Sequence, residues 1–443
     1  MNILNKNGNG NGNLNGVSQK PKFKFLFISW EALSGDLAWK IKNEGHEVKC
    51  YIKNCADEYD GFLEKVPEWK PLIDWADVIV FDDVGFGEDA DKLRKAGKAV
   101  VGGSVYTDKL EENREFGQSE MKRLGMLTLP SWNFDNYDVA LEFLKHNPGR
   151  YVYKPSGLSA GDYRGFLFSG REEDGKDLYE ILTQNKKILE KKIKQFQLQK
   201  HVGGIEVGAS VFFNGQNFIT PILMAFEHKK LFPGELGPMT GEMGTSMFWC
   251  EPNKLFKETT GKMEEDLRKS GYVGYIDINC IVNGRGIYPL EFTCRFGYPT
   301  ISIQQEGVLS DWGDFLYAIA HGQNFDLRIK HGFQIGVVIV TPPFPFNDKS
   351  EVELYRDLSI LFRKPSIEGV RPGDVKITDG IWRTAGNSSY HLVVTGSGST
   401  MEEARKQAYL RIDNIMLLNM FYRTDIGLSW CEDSDKLMTW GYM

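Results

Sequence analysis

The chain predicts an α/β protein with a parallel sheet in its N-terminal part, on three observations. Between residues 24 and 107, apolar strands alternate with amphipathic helices, the order that a helix-covered parallel sheet requires. From Tyr275 to Phe296, two strands of period two flank a short turn. Near the end, YHLVVTGSGST leads into a capped helix and predicts a further, small α/β unit.

The elements follow in order. FKFLFIS is a buried strand, LAWKIKNEG a helix ended by Gly45, and EVKCYI, ADVIVFDD and KAVVGG are further strands. Ligand contacts are expected beyond their carboxyl ends, at residues 29–34, 82–87 and 102–107. A second unit starts near Leu124 with LTLPSW, a helix through VALEFLKH, the strand YVYKPSG and the loop GLSAGDYRGF. That loop puts Gly157, Gly161 and Gly165 after a strand bearing Lys154, so backbone amides could meet a phosphate beside an ammonium, although glycine-rich turns also occur simply as turns. NKKILEKKIKQ reads as a solvated helix face. FQLQKHVGGIEVGASVFFNG reads as two strands around a tight turn, with Glu206 as either a hydroxyl acceptor or a surface carboxylate. Residues 234–246, GELGPMTGEMGTS, hold four glycines and a proline and are expected to be neither strand nor helix, but a loop that lets backbone come close to a ligand. DWGDFLYAIAHG is helical and FQIGVVIVTPPFP is a buried strand. MEEARKQAYLRIDNIM is a helix capped by Thr400 or Ser399, with Glu402 and Glu403 in its first turn.

A chain of 443 residues exceeds a single core, so two to four domains are expected. The hydrophobic fraction of 41% and charged fraction of 26% are those of an ordinary soluble protein, and no apolar run reaches membrane-spanning length. A net charge of -7 argues against general affinity for nucleic acid or anionic lipid and points to small-molecule partners. Residues 1–21 are Asn/Gly-rich and too poor in apolar groups to pack, which predicts a disordered tail. Six cysteines, at 50, 55, 250, 280, 294 and 431, form no CxxC pair and follow no secretory signal, so structural thiols in a reducing cytoplasm are expected.

The chemistry concentrates in the hairpin YIDINCIV-NGRG-IYPLEFTCRF. Tyr275, Asp277 and Asn279 share one face of the first strand, and Glu291, Thr293 and Arg295 one face of the second. If the register sets Asp277 opposite Glu291, carboxylates, a hydroxyl, an amide and a guanidinium converge over an apolar floor; a one-residue slip replaces them with isoleucines. Converging hard oxygens suit Mg²⁺ carrying phosphates, with an arginine to neutralise an anion beside it. The plainer alternative is a hairpin with one wet face.

Several motifs carry a resemblance. GPMTGEMG matches GPNTGGMG, LEFTCRFGYP matches IEFNCRFGDP, and EHKK matches DHKR; YKPSGLSAG against IKADGLAAG, the ARKQAY helix and YRTDIG are weaker but collinear. From about residue 24 to 428 the chain resembles the phosphoribosylamine glycine ligase family of ATP-grasp enzymes. The resemblance implies an α/β ATP-grasp fold with an N-terminal parallel-sheet (pre-ATP-grasp) domain at 22–125. It also implies an ATP-grasp domain at 126–330 with a mobile lid about 150–195, and a small C-terminal α/β domain at 331–443. It implies a purine-biosynthesis type of ligation: ATP, with Mg²⁺ or Mn²⁺, phosphorylates the carboxylate of glycine or a similar small amino acid, and an amine attacks the acyl phosphate. A monomer or homodimer is expected. By matched position, Lys154 and Arg114 contact ATP phosphates, with Gly157, Gly161 and Arg164 in the flexible loop. Gln199 lies at the adenine hinge, Glu206 on the ribose, and Glu291 on the metal. Arg295 holds the carboxylate or its acyl phosphate, which with Glu291 and Lys154 makes the catalytic set. Asp277 and Thr293 complete the metal set, and Gly237, Pro238, Thr240, Gly241, Met243, Gly244 and Tyr298 face substrate.

The departures cluster on the side of the amine. The family's metal-binding asparagine is Thr293 here, its GGREHALAW loop reads EALSGDLAW, and its GDPE acids become Tyr298 and Thr300. The loop lysine becomes Asp162, with Arg164 as a substitute, and the hinge glutamates become Gln199 and Lys200. A ligase with a different amine acceptor, on a nucleotide or a specialised metabolite, is therefore an alternative, as is a catalytically inactive ATP-binding protein.

Overall fold

Strand Lys24–Ser29, buried from Phe25 onward, forms the middle of a five-stranded parallel sheet. The order is Glu64–Lys65, Glu47–Ile52, Lys24–Ser29, Val78–Phe81 and Val100–Val101. Strands buried on both faces read as continuous apolar runs, which is why this part was legible. The computed structural model describes residues 21–54, 56–156, 166–346 and 348–443. The expected tail through residue 20, Cys55, and the loop residues Gly157, Gly161, Asp162, Arg164 and Gly165 lie outside the described residues. Cys50, Cys280 and Cys294 are buried. Among the described residues no helix is long and apolar enough to cross a membrane.

An eight-stranded sheet with antiparallel neighbours forms the centre. Its order is Gly286–Thr293, Gly274–Asn283, Ile205–Phe213, Phe218–Glu227, Gly244–Cys250, Phe333–Val340, Tyr390–Gly398 and Val370–Pro372. The strands after residue 330 thus continue the sheet begun before it: Thr245 pairs with Gly336, and Gly336 with Thr395. The expected boundary at 330 falls between hydrogen-bonded neighbours. Thr400 caps helix Met401–Ile412 through a capping box with Glu403. That helix stops short of the sequence expectation, because Ile415–Met416 pairs as a strand with Ser359–Phe362.

Two further expectations need correction. Gln195–Lys200 and Ile205–Phe213 are not a hairpin: the first lies in a separate four-stranded sheet with Ser131–Phe134, Tyr151–Ser156 and Phe168–Ser169. Between them the chain crosses from one sheet to the other, and a Cβ at Gly204 would stand 2.4 Å from the Val282 carbonyl. Residues 234–246 are also more regular than expected. Leu236–Met239 pairs with Lys230–Phe232 in a ribbon, and Gly244 opens a central strand.

A clasp fixes that ribbon. Arg423, 1% exposed, donates from Nη1 to the Lys230 carbonyl (2.9 Å), from Nη2 to Glu235 Oε1 (2.7 Å) and from Nε to Asp425 Oδ1 (2.8 Å). Asp425 in turn accepts from the Gly234 amide at 2.9 Å. A buried guanidinium needs such paired acceptors to offset its desolvation.

Candidate active site

Between the small four-stranded sheet and the edge of the central sheet opens a cleft of about 2630 Å³. Its walls include Arg114, Lys154, Gln199, Glu206, Lys229, Glu242, Asp277, Glu291 and Arg295.

The hairpin is the floor. Asn283 pairs with Gly286, so the turn has two residues, and the ladder is regular up to Cys280 and Pro289. There the register shifts by one: Asn279 pairs with Glu291 and Asp277 with Thr293, leaving Leu290 as the extra residue of a bulge. Without the bulge, Leu290 and Phe292 would face Asn279 and Asp277. The expected pairing of Asp277 with Glu291 is thus replaced by a diagonal one, yet all four polar groups still share the cleft face. Ile276, Ile278, Cys280 and Phe292 are buried on the other face.

Lys229 is the hub of the charges. Its Nζ lies 2.8 Å from Glu206 Oε1, 3.2 Å from Glu227 Oε2 and 3.2 Å from Glu291 Oε1. Asn279 Nδ2 donates to Glu206 (2.9 Å) and to Glu227 (3.0 Å), which fixes the same acids from beneath. The Lys229 ammonium, with Lys154 and Arg114 nearby, holds the Glu291 carboxyl down to about 2. Lys229 itself is pushed up, because three carboxylates outweigh the cost of burial. Burial and the repulsion of Arg114 bring Lys154 down to about 8. Arg114, the first residue of helix Arg114–Arg123, donates to the Pro155 carbonyl at 3.1 Å and so reaches the strand that carries Lys154.

Arg295 joins the cleft to the parallel sheet. Its Nε stands 3.0 Å from Glu111 Oε1 and 3.3 Å from Asp83 Oδ1, and Nη1 donates to the Phe296 carbonyl at 3.1 Å. Burial works against its charge, and Glu111 and Asp83 more than restore it, raising its pKa. Burial raises Asp83 to about 7 despite Arg295. Residues 83–85, from one expected strand end, line the cleft, as does Val105 from another, whereas none of residues 29–34 does.

The structure therefore gathers Arg114, Lys154, Gln199, Glu206, Asp277, Glu291, Thr293, Arg295, Thr240, Gly241 and Tyr298 around one cavity. Gly237, Pro238, Met243 and Gly244 are not among its walls, which corrects the expectation that they face substrate. Gly237 closes the ribbon over Phe232, Met243 is fully buried in the core, and a Cβ at Gly244 would meet the Gly336 carbonyl at 2.6 Å. Their residue types answer to chain packing. Lys229, Glu227 and Glu242 were missed as site residues. The signal available for the first two was the run EHKK, three residues ahead of the glycine-rich segment.

Donor chemistry decides whether a magnesium nucleotide fits. Among the described residues no group of three or more His, Cys, Asp or Glu is poised to hold a metal alone. Magnesium typically needs only one or two carboxylates when phosphates complete its shell. Glu291 is 59% exposed to the cleft, and Asp277 Oδ1 and Asn279 Oδ1 are buried without a hydrogen-bond partner, so hard oxygens stand ready.

The fold, two sheets gripping a cleft lined by lysines and acids, is that of the ATP-grasp ligases. Residues 112–301 match the family model described as phosphoribosylglycinamide synthetase, ATP-grasp (A) domain. The phosphoribosylamine–glycine ligase of Clostridium acetobutylicum is 26% identical over 432 residues, 92% of this chain and 100% of the relative. The crystal structure of the phosphoribosylamine–glycine ligase of Thermotoga maritima superposes with a TM-score of 0.70 at 22% identity, covering 91% of this chain and all of that one. A biotin carboxylase from Campylobacter jejuni, solved with a β,γ-ATP complex, gives 0.61 at 14% identity over 94% and 97% of the two chains. Both solved structures bear on the fold alone.

Proposed function

We propose that this protein is an ADP-forming carboxylate–amine ligase that works through an acyl phosphate, with glycine or a similar small amino acid as the acid. The observation that carries the reading is the convergence of Lys154 and Arg114 with Glu291, Lys229 and Arg295 in one cleft. The relatives' shared name supports a phosphoribosylamine–glycine type of ligation. Attack of a carboxylate on a triphosphate gathers negative charge, and fixed cations are most effective where water is excluded. Lys154 and Arg114 bind and orient the phosphates. Glu206 accepts from the ribose, and buried Gln199 borders the base. Arg295, held in place by Glu111 and Asp83, orients the substrate carboxylate and stabilises the anion that replaces it. Glu291, with Asp277 and Thr293, would hold Mg²⁺, which when bound neutralises phosphate charge. Lys229, 3.2 Å from Glu291 Oε1, would share that carboxylate with the metal.

A second reading concerns the amine. The end of the cleft beyond Arg295 carries Asp83, Asp108, Glu111 and Glu112, and burial with mutual repulsion lifts Asp108 to about 6. Such a rim repels a sugar phosphate, which favours an acceptor other than phosphoribosylamine. Hydroxylamine tests the first reading without a known acceptor: it traps an acyl phosphate as a hydroxamate. Mg-ATP with a panel of amino acids should give hydroxamate and ADP in equal amounts, and no product with any acid would leave a nucleotide-binding protein without ligase activity. Turnover with glycine and phosphoribosylamine separates the two acceptor readings.

A further inference from the structure

Glu242 is a carboxylate that no other group in the site answers. It lies in the glycine-rich segment, where the motif GPNTGGMG has glycine, and it lines the cleft beside Thr240 and Gly241. It is 6% exposed, its Oε1 has no hydrogen-bond partner, and no salt bridge reaches it among the described residues. Lys229, the nearby cation, is already shared among Glu206, Glu227 and Glu291. Tyr275, which feels the Glu242 charge, and Tyr298 also line the cleft. Burying a carboxylate with nothing to accept from is costly unless a ligand supplies the donors. Acidic oxygens with aromatic faces suit a compact cation that brings several N–H donors, namely an ammonium group.

We infer that Glu242 receives the ammonium group of the acid substrate, so that the ligase selects an amino acid over a plain carboxylic acid by charge at both ends, Arg295 for the carboxylate and Glu242 for the amine. The inference rests on the ligase reading for its catalytic meaning, but binding tests it separately. Asp277 remains available to the metal, whereas Glu242 stands on the glycine-rich segment outside the hairpin.

Calorimetry with Mg-ADP present, titrating glycine, β-alanine and acetate into the wild type and Glu242→Gln, decides the matter. Expected are binding of at least one amino acid more tightly than acetate by ~30-fold or more, and loss of that margin in Glu242→Gln with nucleotide affinity intact. Glu242→Asp should recover part of the margin. Equal binding of acetate and both amino acids by the wild type overturns the inference, as does a margin that survives Glu242→Gln, and so does the failure of every amino acid to bind. Hydroxamate formation read in parallel keeps the two ideas apart. Product from the wild type with an unchanged KM for the amino acid in Glu242→Gln removes Glu242 and spares the ligase. Binding that depends on Glu242 without any product does the reverse.

Discussion

Lys154 gives the sharpest test of the nucleotide site, because its proton is held loosely. Burial and Arg114 lower it to about 8, with Glu291 and Glu206 pulling the other way and Lys229 adding repulsion. A triphosphate bound beside the ammonium stabilises its charged form, so binding raises this pKa. The sign follows: nucleotide binds best while Lys154 is protonated and loses affinity as pH rises through about 8. One linked proton predicts that the dissociation constant for Mg-ATP rises ~10-fold between pH ~7 and pH ~9. Calorimetric titration at saturating Mg²⁺, where the nucleotide's own ionisation is complete, measures the slope. Asp83, at about 7, and Asp108, at about 6, titrate in the same cleft and add negative charge as pH rises. Lys154→Arg retains both of them and a permanent charge, so its profile should lose the step above pH ~8 while keeping any slope below it. A flat wild-type profile, or the same step in Lys154→Arg, would refute the assignment of Lys154 to the phosphates.

Glu291→Gln should lower ADP formation by more than ~100-fold, the effect of losing a transition-state contact worth ~3 kcal/mol, and a steady-state assay showing wild-type rates would remove Glu291 from the metal set. Arg295→Lys should also fail in the hydroxamate assay, because one ammonium cannot serve Glu111, Asp83 and a planar carboxylate together; near-normal turnover would make Arg295 a structural residue. Lys229→Met leaves Glu206, Glu227 and Glu291 without their shared cation, and urea unfolding at neutral pH should register a loss of ~3 kcal/mol. Glu291 has a lowered pKa, so its share of wild-type stability is present above the ordinary carboxylate range and disappears only as pH falls through about 2. The deficit of Lys229→Met should accordingly shrink in acid, and a deficit independent of pH would point to packing in place of charge.

The parallel strands and the polar face of the hairpin were legible because burial on two faces, or on one, leaves a pattern of period one or two in the residues themselves. The bulge at Leu290 was not, since register depends on how a whole ladder settles, and Asp277 therefore meets Thr293 where Glu291 was expected. GlyGly at 203–204 looked like a hairpin turn, although glycine serves a close crossing between sheets equally well. Lys229 sat in a quoted motif without a role, because its importance comes from three acids that lie on separate strands. The glycines at 237 and 244 were assigned to ligand contact when backbone geometry and packing account for them.

Abundant glycine is commonly equated with pliancy, and the clasp around Arg423 argues otherwise here. Prising the ribbon outward would strip a guanidinium that is 1% exposed of its contacts with Glu235 and the Lys230 carbonyl. The ribbon is thereby a fixed wall of the cleft, to which it contributes Lys230 and Met239.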